Sequence, residues 1–103
     1  MLINMKPTTF FVVINMRTSQ GFECIGKFFV GDSEKAAIGI FRKLKGRGTV
    51  DERSPLQLDL MESRNGLPVN INMISCSLDE LGENCRIITR ELFRLINIEH
   101  TKT

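Results

Sequence analysis

One pattern occurs twice in this chain, half a chain length apart: a glycine turn between two apolar runs, followed by a helical segment. Gln20-Gly21-Phe22 occupies the first turn and Asn65-Gly66-Leu67 occupies the second. Two strand-like runs around a glycine turn predict a β-hairpin, so each half reads as ββα. The sequence therefore predicts an α+β fold of the order ββαββα. Its two layers would be a four-stranded sheet and two helices on one face, built from two similar halves.

The length of 103 residues suits a single domain around one hydrophobic core. The composition divides it into an N-terminal extension, a first ββα half, a linker, a second ββα half and a flexible tail. These segments are expected at residues 1–7, 8–45, 46–55, 56–96 and 97–103, respectively. Met5 suits an initiator as well as Met1 does.

The first hairpin can be paired in two registers. If Ile14 opposes Cys24, one face collects the core residues Phe10, Val12, Ile14, Met16, Phe22, Cys24, Phe28 and Val30. Every polar residue of the two strands then lies on the other face. Aligning the two hairpins on their turns instead shifts the register by one residue and turns one strand over. We expect the first register, because it gives the more apolar core.

In this register the outer face of the first hairpin carries a cluster of large apolar side chains. They are Phe11, Val13, Ile25 and Phe29. Contiguous exposed apolar surface usually marks an interface, so these residues predict a homodimer or another protein partner. The alternatives are that the N-terminal segment or a loop covers them, or that the two faces are reversed.

The second hairpin has a clearer turn, because Asn65-Gly66 suits a two-residue connection with positive φ angles. It would pair Leu58 with Met73 and Leu60 with Ile71. On the opposite face, Asp59 would face Asn72 and Met61 would face Asn70. The polar set to test there is Gln57, Asp59, Asn70 and Asn72. It can bind a small polar ligand or serve in acid–base chemistry, and the alternative is an ordinary solvated face.

Both helices have recognisable beginnings and apolar stripes. Asp32-Ser33 before Glu34 suits a helix N-terminus, and Ser77 followed by Glu80 matches a capping box. The buried stripes are expected at Ala36, Ala37, Ile40, Phe41 and Leu44, and at Leu81, Cys85, Ile88, Leu92 and Leu95.

A basic segment follows the first helix, at Arg42, Lys43, Lys45 and Arg47. Such a segment can contact phosphates without reading a base sequence, which predicts nucleic-acid binding as one alternative. The other interpretation is favourable charge at a helix end followed by a solvated loop. The formal net charge of +2 does not by itself imply a nucleic-acid or membrane partner.

The sequence offers little for catalysis. Its one histidine, His100, falls in the expected tail, and neither zinc-ligand spacing nor a phosphate-binding glycine motif is present. Cys24, Cys76 and Cys85 form no C-x-x-C pair, so we expect buried, reduced thiols and a cytoplasmic location. No stretch approaches the roughly 20 apolar residues of a membrane-spanning helix.

The leading hypothesis is therefore a small non-catalytic module, without cofactor or metal, that self-associates or binds a protein. The alternatives are a polar-ligand domain or enzyme that uses Asp59, Asn70 and Asn72, and nucleic-acid binding through residues 42–47.

Overall fold

The computed structural model describes residues 8–49 and 52–101, with the backbone alone described at 98–101. Its elements are β1 (Thr9–Thr18), β2 (Gly21–Gly31), α1 (Glu34–Arg42), β3 (Leu56–Arg64), β4 (Leu67–Cys76) and α2 (Leu78–Thr101). The α+β class and the ββαββα order predicted from the sequence are confirmed. The helix of the second half is much longer than that of the first, with 24 residues against nine. It includes most of the segment that was expected to be a flexible tail.

The four strands form one antiparallel sheet in the order β2-β1-β3-β4. Strands β2 and β3 run in the same direction, because both are antiparallel to β1. The segment that contains α1 therefore connects β2 to β3 across β1. This order places β1 against β3, which the sequence alone did not determine.

The core lies between one face of the sheet, here called the inner face, and the two helices. Alternate residues of the central strands, among them Val12 and Leu58, are completely buried there. They belong to one cluster with Ile40 and Phe41 of α1 and with Ile88 of α2. The opposite face of the sheet is called the outer face below.

Both predicted helix starts are confirmed by hydrogen bonds. The hydroxyl of Ser33 accepts from the amide of Ala36 at 3.2 Å. At α2, the amide of Ser77 donates to the Glu80 carboxylate at 2.8 Å and the amide of Glu80 donates to the Ser77 hydroxyl at 3.1 Å. These bonds satisfy backbone donors that a helix leaves open in its first turn.

The register of the first hairpin differs from the prediction, because the strands contain bulges. Ile14 opposes Gly26 and not Cys24, and the next residue, Asn15, opposes Cys24. Ile25 is therefore an extra residue without a partner, and it changes which face the following residues of β2 occupy. Phe22 and Cys24, predicted to lie in the core, are exposed beside outer-face residues of β1.

The second hairpin begins in the predicted register and then shifts by one residue. Asn65 and Gly66 form the turn with φ angles of +52° and +83°, and Met61 opposes Asn70 as expected. A bulge then leaves Ile71 without a partner. As a result Leu60 opposes Asn72, Leu58 opposes Ile74, and Asp59 opposes Met73.

Both edge strands carry features that hinder the addition of a further strand. On β4, the amide and carbonyl of Ser75 exchange hydrogen bonds of 2.8 Å with the carbonyl and amide of Arg47. Pro68, near the other end of β4, has no N–H to offer. Edge strand β2 is interrupted by the bulge at Ile25 and by a second irregularity near Val30. Bulges, proline and covered backbone groups are the usual protection of sheet edges.

Candidate functional site

The outer face of the sheet consists of rows that run across all four strands. One row is formed by Phe29, Phe11, Met61 and Asn70, in the order of the strands. The next row is Lys27, Val13, Asp59 and Met73, followed by Cys24, Asn15, Gln57 and Ser75. Apolar side chains thus dominate toward β2, and polar side chains dominate toward β3 and β4.

The predicted interface residues form what we call the hairpin patch, namely Phe11, Val13, Ile25 and Phe29. Phe29 is 67% exposed and Ile25 is 49% exposed, whereas Phe11 retains only 9% of its accessible surface. The rings of Phe11 and Phe29 have centroids 6.0 Å apart, and the Lys27 ammonium lies 5.4 Å from the centre of the Phe11 ring. The exposed part of the patch is therefore its β2 side, while Phe11 packs beneath its neighbours.

The predicted polar set is only partly brought together. The Asp59 carboxylate accepts hydrogen bonds from the side-chain amides of Asn15 at 2.7 Å, Gln57 at 3.1 Å and Asn70 at 3.3 Å. Asn72 stays apart, because the β4 bulge moves it out of register and its side chain accepts from the amide of Met73. We call Asn15, Gln57, Asp59 and Asn70 the amide cluster.

Asn15 was missing from the prediction, since it joins Asp59 only because β1 and β3 are neighbours. Within the described residues, the hydrogen-bond partners of Asp59 are all neutral amides. Acid–base catalysis needs a second titratable group or a bound substrate to exchange the proton. The cluster therefore reads as a satisfied polar network, and its contacts alone do not assign a reaction to it.

The basic segment lies at a groove between the end of α1 and the middle of α2, from Glu83 to Arg94. Arg42, Lys43 and Lys45 line the groove, whereas Arg47 lies outside it and pairs with β4 through its backbone. The opposite wall contributes three arginines that the sequence analysis did not single out: Arg86, Arg90 and Arg94. Their four-residue spacing, which places side chains on one helix face, was the signal that could have identified them.

An acidic residue of α2 organises part of this groove. The Glu91 carboxylate, whose side chain is 12% exposed, receives the Lys43 ammonium at 2.6 Å. Arg90 and Arg94 lie 3.8 Å and 3.6 Å from its second oxygen. The hydrogen bond from Lys43 is the main cause that holds the pKa of Glu91 below its ordinary value. Glu91 is thus a carboxylate shared among three cations.

A buried amide fixes the backbone of the same groove. Asn84 of α2 is fully buried, and its side-chain oxygen accepts from the amide of Lys45 at 2.6 Å. Its side-chain nitrogen donates to the carbonyl of Lys45 at 2.9 Å. Both polar atoms of Asn84 therefore hold the loop that follows α1 against α2.

The cysteines differ in exposure. Cys76 is buried and Cys85 is half-buried, but Cys24, predicted to be buried, is exposed because of the β2 bulge. Burial is the main cause that raises the pKa of the Cys76 thiol to about 11. Among the described residues, no group of three or more His, Cys, Asp or Glu side chains is arranged to hold a metal ion.

Comparison of the chain with protein-family models, curated proteins and solved structures finds no match. In the part of the chain that the structure describes, no helix is both long and apolar enough to cross a membrane.

Proposed function

We propose that this chain is a non-catalytic module that self-associates as a two-fold dimer through the hairpin patch. The observation that carries the proposal is the exposure of Phe29, a large aromatic side chain that leaves 67% of its surface in contact with water. Ile25 and Phe22 on the same edge strand are also exposed, at 49% and 40%. Aromatic side chains are enriched at the centres of interfaces, and exposed apolar patches of this kind usually mark one.

The mode of contact that we propose is face to face and not edge to edge. Strand addition at β2 is hindered by the bulge at Ile25, and strand addition at β4 is hindered by Pro68 and by the backbone pairing of Arg47 with Ser75. The outer face of a sheet of four strands of nine to eleven residues measures about 19 by 33 Å, which is roughly 600 Å². The accessible surface of the side chains on this face is larger than its flat outline. The face therefore approaches the ~800 Å² that each partner contributes to a standard interface.

Charge complementarity supports a second copy of this chain as the occupant. Lys27, Val13 and Asp59 lie in one row across β2, β1 and β3. A two-fold axis that runs along β1, midway between two stacked sheets, would place β2 of each copy over β3 of the other. Lys27 would then face Asp59 of the second copy, and by the same operation Phe29 would face Met61 of the second copy. One operation therefore pairs apolar with apolar groups and brings a cation over a carboxylate that keeps 9% of its accessible surface.

The amide cluster and the thiols are consistent with this proposal. The Asp59 carboxylate is occupied by neutral amide donors, which suits a structural role beside an interface better than proton transfer. Three free cysteines favour a reducing compartment, so we place the protein in the cytoplasm as part of the proposal.

The decisive experiment is the solution mass by light scattering over a concentration series. We expect twice the chain mass of 11.7 kDa for the parent protein and a monomer for Phe29→Asp. Phe93→Asp is the matched control, because Phe93 is also 67% exposed but lies on α2. We expect this control to keep the parent's mass.

A second variant tests the proposed orientation of the two copies. Lys27→Glu should weaken the dimer by placing like charges opposite each other, whereas Lys35→Glu on α1 should not. A parent protein that is monomeric at every concentration would refute self-association. A dimer that survives Phe29→Asp would instead assign the interface to another surface.

A further inference from the structure

We propose that the groove between α1 and α2 binds the phosphate backbone of a single-stranded nucleic acid, and that Phe93 stacks on one of its bases. This binding surface is separate from the hairpin patch and independent of self-association. Its evidence is the concentration of charge in the groove, the spacing of the arginines, the fixed backbone of Lys45 and the exposure of Phe93.

The first observation is the separation of charge within the molecule. Six cationic side chains line the groove: Arg42, Lys43, Lys45, Arg86, Arg90 and Arg94. Among the residues that the structure describes, two carboxylates line it with them, Glu83 and Glu91. The groove thus carries a formal charge of +4, although the whole chain has a formal net charge of only +2. A concave surface of one sign attracts ligands of the opposite sign and raises their association rate.

The second observation is that part of this charge is not neutralised by the protein. In the described part of the chain, the ion pairs of the groove converge on Glu91, from Lys43, Arg90 and Arg94. Within the described residues, Arg42, Lys45 and Arg86 have no carboxylate within 4.0 Å. These three side chains are therefore available to an anionic ligand, and Arg90 and Arg94 make only long contacts with Glu91.

The third observation concerns the shape of the ligand. Arg86, Arg90 and Arg94 follow one another at intervals of four residues, which is about 6 Å along a helix. A guanidinium can bind a phosphate through two parallel hydrogen bonds. A row of three such groups suits a chain of phosphates better than one small anion. The groove has a volume of about 630 Å³, and the three arginines span about 12 Å of helix along it.

The fourth observation is that the two walls of the groove are held in place. The two hydrogen bonds from the buried side chain of Asn84 fix the backbone of Lys45 on α2. The 2.6 Å contact between Lys43 and Glu91 joins the end of α1 to the middle of α2. A site whose charged groups are positioned before binding loses less conformational entropy when the ligand arrives.

Phe93 indicates that the polymer is single-stranded. It lies on α2 one turn beyond Arg90, and with 67% of its surface exposed it contributes little to the core. Proteins that bind single strands combine a basic groove with aromatic side chains on which unpaired bases stack. In a duplex the bases already stack on each other, and Phe93 would have no comparable role.

The test is fluorescence anisotropy with labelled 20-nucleotide strands, oligo(dT) and oligo(U), and with a duplex of the same length. Neutralising three to four phosphates of a single strand gives a slope of about −2 to −3 in log affinity against log salt. Raising the salt from 50 to 200 mM should therefore weaken binding roughly 20- to 50-fold. The two single strands distinguish DNA from RNA as the preferred ligand, and either preference supports the proposal.

Three variants separate the contributions of charge and stacking. Arg86→Glu should weaken binding and make the salt slope shallower by about 0.7 or more. Lys35→Glu is its matched control, because it makes the same charge change at the other end of α1 and should have a much smaller effect. Phe93→Ala should weaken binding on the order of tenfold without changing the salt slope.

Several results would overturn the proposal. They are the absence of binding to either strand at 50 mM salt, equal losses for Arg86→Glu and Lys35→Glu, and full affinity in Phe93→Ala. Equal affinity for the duplex would refute the assignment to single strands. Circular dichroism and thermal melting of each variant establish that the losses do not come from unfolding. Phe29→Asp should retain nucleic-acid binding, which separates this site from the dimer interface.

Discussion

The backbone oxygen of Ser75 lies 2.6 Å from the position that a Cβ atom would occupy at Gly46. Gly46 has a φ of +155°, and the residue after it exchanges two backbone hydrogen bonds with Ser75. The absence of a side chain at Gly46 therefore lets the loop after α1 approach the edge of β4 and cover it.

Gly46→Ala should lower the free energy of unfolding by about 2 kcal/mol, because the new methyl group meets backbone that cannot move without breaking the pairing. Gly48→Ala is the control, since no atom of the described residues lies within 4 Å of a Cβ there. Urea denaturation of both variants measures the difference. Equal stability of the two would mean that the loop can leave β4 at no cost.

Asn84→Ala should also destabilise the fold, by about 2–3 kcal/mol, because it removes both hydrogen bonds to Lys45 and leaves a space in a buried site. Asn97 on the same helix is a suitable comparison, because its side chain also donates to a backbone carbonyl, that of Phe93 at 2.8 Å, but at an exposed position. Asn97→Ala should therefore cost clearly less than Asn84→Ala. Thermal and urea denaturation would report the two values. A similar small effect of both variants would show that water replaces the buried amide.

Asp59→Ala should cost about 1–3 kcal/mol, because three side-chain amides lose their common acceptor. Asn72→Ala should have little effect, since the bulge in β4 keeps Asn72 out of the amide cluster. The comparison of these two variants by denaturation tests the register of β4. If Asn72→Ala were as damaging as Asp59→Ala, the simple hairpin register expected from the sequence would be favoured.

The thiols should react at very different rates. At pH 8, brief treatment with iodoacetamide should modify the exposed Cys24 and leave Cys76 unmodified, because Cys76 is buried and its pKa is raised to about 11. Peptide mass spectrometry identifies the modified residue, and Cys24→Ser should abolish the fast reaction. Rapid labelling of Cys76 in the folded protein would contradict the described burial.

The Cys76 thiol should also make the stability of the fold depend on pH. The folded state favours the protonated form of Cys76, because the pKa rises from its ordinary value of 9.0 to about 11. The contribution of the Cys76 thiol to the free energy of unfolding is fully present below pH 9, and it is lost as the pH rises toward 11. Stability should therefore fall over this interval more steeply in the parent protein than in Cys76→Ala.

The local features of this fold could be predicted from the sequence. The turn at Asn65-Gly66 and the capping box from Ser77 to Glu80 are formed by residues close in the chain, and their chemistry suffices to place them. The apolar repeats located both helices for the same reason. The element order followed from these local signals.

The bulges and the strand order could not be predicted from local sequence. Nothing in the residue type of Ile25 or Ile71 marks it as the extra residue of a ladder, because a bulge depends on how two whole strands fit. The neighbouring positions of β1 and β3 brought Asn15 to Asp59, and that adjacency depends on the packing of the complete sheet. The groove could not be predicted from the sequence either, because Arg86 and Lys45 line one surface only when α1 and α2 pack together.

The protected edges of the sheet also limit the size of any assembly. A copy added at an open edge would present a fresh edge of its own, and growth could continue into a fibre. When two copies pair through their faces, each face is covered by the other copy and offers no site for a third copy. For the dimer proposed above, the bulge at Ile25 and the cover over Ser75 would therefore favour a fixed number of subunits, and deletion of Ile25 would remove one of the barriers to unlimited growth.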